Sequence, residues 1–368
     1  MSLAKGAAVL LAASLLLASS VTSAAPVYRI TDLGDLAGLG AAALDLNEYG
    51  QATGTSSVSA PVGHAFLYSG GSMIDLGVAT PFDRSQGAAI NDLGVVVGNV
   101  LSLQGDVARA AIFNGSSIEV LGTFGGATSY AKGINNGGQV TGSARTVDGT
   151  SHAFIYSNGV MTDLRVPYGH SSSGEDINDA GQIAGTFASG ANGTGGFLYD
   201  GSSMVDLSAL GARSAAGINN SGRVTGQTYG NTAYLYEGGM FISLGTLGGS
   251  RSGGIEVNDR GQVVGGSNLA GDTIQHAFLF SEGQMYDLND LLAPGEPLGW
   301  TLSVAYGINE HGQIAGVGFH RGETRAFILN LQSVPEPSAL ALTGTALLLL
   351  CWHARRRSAR AARMPSSS

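Results

Sequence analysis

One short pattern, repeated seven times, constrains this chain more than any other feature. It reads "LNEYGQATG" (46–54), "INDLGVVVG" (90–98), "INNGGQVTG" (134–142), "INDAGQIAG" (177–185), "INNSGRVTG" (218–226), "VNDRGQVVG" (257–265) and "INEHGQIAG" (308–316). Asn and Gly accept positive φ, and an Asn side chain can close an Asx-turn on the backbone that follows it. A type I turn followed by a residue in the left-handed region is a common hairpin connection, and Gly suits that last position. Each copy therefore predicts strand, tight turn, strand. The lead residues Asn47, Asn91, Asn135, Asn178, Asn219, Asn258 and Asn309 are spaced by 44, 44, 43, 41, 39 and 51 residues. A period near 40 residues means a repeat architecture.

Each period carries two further strands. An aromatic segment follows the hairpin: "HAFLY" (64–68), "AAIF" (110–113), "HAFIY" (152–156), "GFLY" (196–199), "AYLY" (233–236), "HAFLF" (276–280) and "RAFIL" (325–329). After a short turn comes a fourth segment, such as "MIDLG" (73–77) or "MTDL" (161–164). Four short strands per period are the mark of a propeller blade. The seventh copy lacks its fourth strand, and "YRITDLG" (28–34), which reads like "GVMTDL" (159–164), precedes the first hairpin. The expected fold is all-β: a seven-bladed β-propeller closed by this N-terminal strand, with 28–34 beside 325–329. The 58 Gly are spread through turns, and 43% hydrophobic residues suffice for a core.

The two ends carry targeting signals. Residues 1–24 combine an early Lys5, an apolar run and small residues before Pro26. They read as a secretory signal peptide cut after Ala24, which implies the Sec export machinery. Near the other end, Pro335, Glu336 and Pro337 precede an apolar run of about 15 residues, at the short edge for a spanning helix. Arg355, Arg356, Arg357, Arg360 and Arg363 follow and would hold the end in the cytoplasm. The domain reading is a signal peptide (1–24), a propeller body (25–333) and a C-terminal transmembrane sorting segment (334–368).

The tail resembles a PEP-CTERM sorting signal, with its motif, short apolar segment and Arg-rich end in order. That resemblance implies processing by exosortase, a membrane transpeptidase, in a Gram-negative bacterium that makes exopolysaccharide. It places the precursor in the inner membrane and the product at the cell surface or in the matrix. The body resembles the HAF-repeat family of extracellular proteins, after "HAFLY" and "HAFIY"; "LNDLLAPGEPLGWT" (288–301) also resembles a segment found before the last such repeat. No reaction is implied by that family.

Without Lys5 and the five tail Arg, 12 basic residues remain; without Glu336, 26 acidic residues remain, so the body carries −14. An acidic body of this kind argues against nucleic acid or anionic lipid as a general partner. The single Cys351 lies in the tail, so the body has no disulfide and relies on sheet packing.

No G-x-S-x-G elbow, H-E-x-x-H, Walker loop or EF-hand loop is present, and no catalytic residue is assigned. His64, His152 and His276 recur at one strand position and read as repeat-consensus residues too far apart to share an ion. Two residues before the lead Asn stand Asp45, Ala89, Gly133, Asp176, Gly217, Glu256 and Gly307. Asp45, Asp176 and Glu256 near the axis form a candidate ligand or cation site. Ca²⁺ is the one cofactor considered, because it takes oxygen ligands. The other reading is that channel water solvates them or that they accept bonds from neighbouring backbone amides. Both tight turns of a blade fall at one end of its strands, and the long connections (55–63, 99–109, 143–151, 186–195, 77–86, 165–173 and 289–301) fall at the other. Binding usually resides in variable loops on a rigid scaffold. Phe82, Tyr168 and Trp300 lie in or beside these loops and are candidates for stacking on sugar rings, against the reading that they cover blade seams.

Three functions stay open. One is a surface-anchored or matrix-associated module that binds polysaccharide or a surface protein. Another is a structural protein of the biofilm matrix. The third is an extracellular glycan hydrolase or lyase, which would need an acid/base pair among Asp45, Asp176 and Glu256.

Overall fold

The computed structural model describes residues 25–103, 107–115, 117–189 and 193–332. The signal segment with Ala24, the Pro335–Glu336–Pro337 motif and the apolar, Arg-rich tail lie outside the described residues. Among the described residues no helix is long and apolar enough to cross a membrane; the one helical piece is a 3-10 turn, Ser208–Leu210.

The third repeat shows how the motif folds. Its strands Gly125–Ile134, Val140–Thr146, Ser151–Ser157 and Val160–Asp163 pair antiparallel in order, from the channel outward. At the tip, Asn135 N donates to Gln139 O at 3.0 Å and Gly138 N donates to Asn135 O at 3.0 Å. The Asn135 side-chain oxygen accepts from Gln139 N at 2.9 Å across the turn, and in the first repeat Asn47 Oδ1 also accepts Tyr49 N at 3.1 Å, the Asx-turn. The equivalent glycines, from Gly50 to Gly312, all have φ between 70° and 77°, where a side chain would be strained.

The last Gly of the motif has a different task. A β-bulge interrupts the innermost strand of every repeat at the acid-or-small position, between Ala131 and Gly133 in the third. The inner strand's carbonyl then crowds the second strand, so a Cβ on Gly142 would lie 1.9 Å from Tyr130 O, and one on Gly54 2.0 Å from Ala42 O. Across from these glycines the third strand places an aromatic ring: Phe66, Phe154, Phe197, Tyr234, Phe278 and Phe327. The second repeat has Ala111 there instead. All six rings are fully buried, each contributing about 1.5–3 kcal/mol of apolar burial. They pack the seams: Phe154 lies with Ala89, Val97 and Leu121 of the second repeat, and Phe66 with Ala315, Ala326 and Ile328 of the seventh.

The inner strand of each repeat packs beside that of the next, and Trp300–Ile308 of the last beside Ala41–Leu46 of the first. The result is an all-β propeller-like ring. Tyr28–Asp32 supplies the outer strand of the last sheet, pairing antiparallel with Glu323–Leu331 from Tyr28–Leu331 to Asp32–Phe327. Tyr28 is buried there, and its N–H and C=O bond Leu291 O and Ala293 N at 2.8 Å.

Two expectations are corrected. Strand pairing gives five separate four-stranded sheets and one eight-stranded sheet, not seven separate blades. The cause is a single parallel pair, Thr128–Ala108, joining the second repeat's strands to the third's. Arg109 of the second repeat's third strand bonds Ala127 O of the third repeat across the join. Two of the expected long loops, 55–63 and 143–151, are also mostly strand. Residues 55–63 are a continuation of Ala52–Ser59 into Val62–Ser69 with two residues between.

Candidate functional site

The hairpin tips surround one mouth of the central channel. There the lead Asn residues form a closed ring of side-chain bonds. Asn47 Nδ2 donates to Asn91 O at 3.0 Å, and the series continues through Asn135, Asn178, Asn219, Asn258 and Asn309, which returns to Asn47 O at 3.0 Å. Every one of these side chains is buried. The turn-former reading of these residues was therefore incomplete. An Asp carboxylate can close the turn but has no donor, whereas Asn closes it with Oδ1 and carries a separate NH2 that reaches the next repeat. The use of Asn in all seven copies was the available signal.

A second, outer circle lies at the same mouth. Glu48 N donates to Asp92 Oδ1 at 3.0 Å, Asp92 N to Asn136 Oδ1 at 2.9 Å, Asn136 N to Asp179 Oδ1 at 2.8 Å and Asp179 N to Asn220 Oδ1 at 2.9 Å. It resumes from Asp259 N to Glu310 Oε1 at 2.6 Å and from Glu310 N to Glu48 Oε1 at 2.9 Å. This mouth is thus acidic and tied down by its own backbone.

Behind the rings, Asp45, Asp176 and Glu256 face the channel, as the bulged inner strands dictate. A cavity of 280 Å³ lies on their hairpin side and one of 400 Å³ on their loop side, where Lys132, Glu175 and Tyr306 join the wall. Lys132 Nζ pairs with Glu175 Oε2 at 2.6 Å. Each acid seats against a glycine of the preceding repeat: a Cβ on Gly307 would lie 3.1 Å from Asp45 Oδ1, on Gly133 3.2 Å from Asp176 Oδ1, and on Gly217 3.1 Å from Glu256 Oε1. The acid-bearing strand itself lies as close or closer to each glycine, so these three positions have little room for a side chain. Asp45 accepts Leu46 N at 2.7 Å and Ile90 N of the next repeat at 2.8 Å. Asp176 does the same with Ile177 N at 2.7 Å and Ile218 N at 2.8 Å; Glu256 accepts Val257 N at 2.8 Å. The three are half-buried in the channel wall. Loss of water pushes Asp45 up to about 7 and Asp176 to about 6, and it also raises Glu256, with Asp176 and Asp45 adding repulsion. No cluster of three or more His, Cys, Asp or Glu among the described residues is gathered to hold a metal ion. The carboxylates are turned onto backbone amides instead of onto a common point.

The loop-face aromatics sit in seams. Trp300 stacks on His320 with ring centres 4.7 Å apart and meets Phe327 edge-on. Tyr168 packs against Phe187 at 5.5 Å and donates its hydroxyl to Met204 O at 2.9 Å. Phe82 packs onto the cluster around Ile90 and Phe113. The recurrent histidines have partners that sequence reading missed. His64, His152 and His276 bond Asp75, Asp163 and Asp287 through Nδ1 at 2.9, 2.8 and 2.6 Å. Each pair joins third to outer strand with the same separation of 11 residues, and that shared spacing was the signal.

No family model and no curated protein matches the chain. Solved structures do resemble it at low identity. The β-propeller domain of the Trilobed protease from Pyrococcus furiosus is 10% identical, with a TM-score of 0.48 over 79% of this chain and 95% of that one. A gluconolactonase from Xanthomonas campestris is 12% identical, with a TM-score of 0.42 over 85% and 93%. TolB from Acinetobacter baumannii is 13% identical, with a TM-score of 0.41; 56% of this chain is covered, and the match spans 54% of that one.

Proposed function

We propose that this chain is an exported, non-catalytic β-propeller whose seven repeats form one ring and whose loop face binds a polysaccharide. One observation carries the reading: the two faces are built to different rules. Every first hairpin has five residues between its strands, from Leu46–Ala52 to Ile308–Ile314. On the opposite face, connections within repeats run from two to six residues, and those between repeats from two to twelve. One face is fixed by repeated bonds, and the other varies on a rigid base, which is where binding surfaces arise.

The PEP-CTERM and HAF resemblances support an exported protein held by its tail until exosortase removes it, then placed at the cell surface or in a biofilm matrix. Changing Pro335, Glu336 and Pro337 together to Ala is expected to leave export intact and to block tail removal, read by the mass of the mature chain. A second reading, a glycan hydrolase or lyase, draws on the raised Asp45 and Asp176 carboxyls in the channel, since a general acid must keep its proton near neutral pH. The test is a glycan array with the purified protein beside a hydrolysis assay on the same glycans. Retention without product supports the binding reading; product that disappears in Asp45→Asn supports the enzyme; neither retention nor product overturns both.

A further inference from the structure

The seam between the second and third repeats opens into a cavity of 510 Å³. It lies beside the parallel pair Thr128–Ala108, at the strand ends away from the hairpin tips. Two arginines line it: Arg84, first residue of the inner strand Arg84–Ile90, and Arg145, near the end of Val140–Thr146. Among the described residues Lys132, Arg223 and Arg325 are bonded to carboxylates, and the other Lys and Arg side chains of the body are not. Arg84 and Arg145 have no such partner among the described residues, and no acidic side chain is among the described residues lining the cavity. The Arg84 Nε–H is enclosed by protein and meets no acceptor there. A buried donor left unmade is costly, more so on a charged group. Thr128 and Ser151 add hydroxyls to the lining, and the Tyr130 side chain lies beside them, 37% exposed.

Guanidinium groups present planar forks that match a carboxylate in two bonds. A half-exposed Tyr offers an apolar face with a polar tip, and a cavity of 510 Å³ has room for one or two sugar rings. We propose that this cavity is a subsite for a carboxylated sugar, with Arg84 and Arg145 on the carboxylate and Tyr130 under the ring. The sugar part rests on the polysaccharide-binding reading; capture of the anion stands on the arginines alone.

The purified full chain would be titrated calorimetrically with trigalacturonate, maltotriose and inorganic sulfate. Arg84→Gln with Arg145→Gln is expected to weaken trigalacturonate binding by about tenfold or more and to leave any maltotriose binding unchanged. Arg251→Gln with Arg260→Gln removes the same charge elsewhere and is expected to change affinity by less than about twofold if only the general field is altered. If the first double variant does not fold, Arg145→Gln alone carries the test, because that side chain is exposed. Equal losses in both double variants would overturn the proposal. So would binding of maltotriose without trigalacturonate, an outcome that leaves the polysaccharide reading standing. Sulfate bound as tightly as trigalacturonate and lost in the same variant would keep the anion pocket and remove the sugar. Binding of none of the three would overturn the subsite, with the array still deciding the wider reading.

Discussion

The hairpin face and the loop face of this ring use opposite strategies. On the hairpin face each Asn does two jobs, closing its own turn through Oδ1 and reaching the next repeat through Nδ2. The bonds run around a complete circle, so no tip is free to move alone. Among the described residues the loop face has no such circle. Its connections differ in length from repeat to repeat, and Val147 and Leu298 stand 84% and 89% exposed there. The lesson is that a repeat protein can put its uniformity and its variety at opposite ends of the same strands.

Four changes would break or sharpen this contrast. The largest effect is expected from deleting residues 26–34, which strips the outer strand from Glu323–Leu331 and empties the site of Tyr28. Thermal unfolding should show a loss on the order of 5 kcal/mol or more, since removing one buried aromatic alone costs about 3–5 kcal/mol. Phe154→Ala should cost about 3–5 kcal/mol in urea titration by opening a cavity between the second and third repeats. Asn135→Asp keeps the turn acceptor but removes the donor to Asn178 O, so a loss of about 1–3 kcal/mol is expected. Val147→Thr on the loop face should stay within about 0.5 kcal/mol. Equal effects from the last two would dissolve the contrast.

A further test concerns pH. Folded Asp45 keeps its proton to about 7 and Asp176 to about 6, whereas the unfolded chain releases such protons near pH 4, roughly. Between those limits the folded state binds more protons, so stability falls as pH rises from about 4 to about 7. In Asp45→Asn, Asp176→Asn, Glu256→Gln that part of the slope should vanish, measured by melting temperature against pH. An unchanged slope would show that the channel carboxylates are better solvated than their surroundings imply.

Much of the scaffold was legible because the repeat fixes it locally. The turn, its left-handed Gly, the aromatic third strand and the swapped closing strand all follow from residues a few positions apart or from the one missing strand. What was not legible depends on contacts between repeats. The Asn ring and the seating of Asp45 on Gly307 need the angle between neighbouring strands, which no single repeat encodes. The fusion of two sheets at Thr128–Ala108 is likewise a contact between repeats. Arg84 and Arg145 lie in different repeats at unrelated motif positions, so only the folded seam brings them to one cavity.

The most direct measurement is amide hydrogen exchange on the purified protein, with and without the glycan it retains best on the array. Protection gained on binding should fall on loop-face segments, residues 76–83, 147–150 and 288–299, while the amides of the seven hairpins, already slow, stay as they were. New protection concentrated on the hairpins from Asn47 to Gln51 and their six counterparts, with the loops unchanged, would contradict the division of the molecule into a fixed face and a binding face.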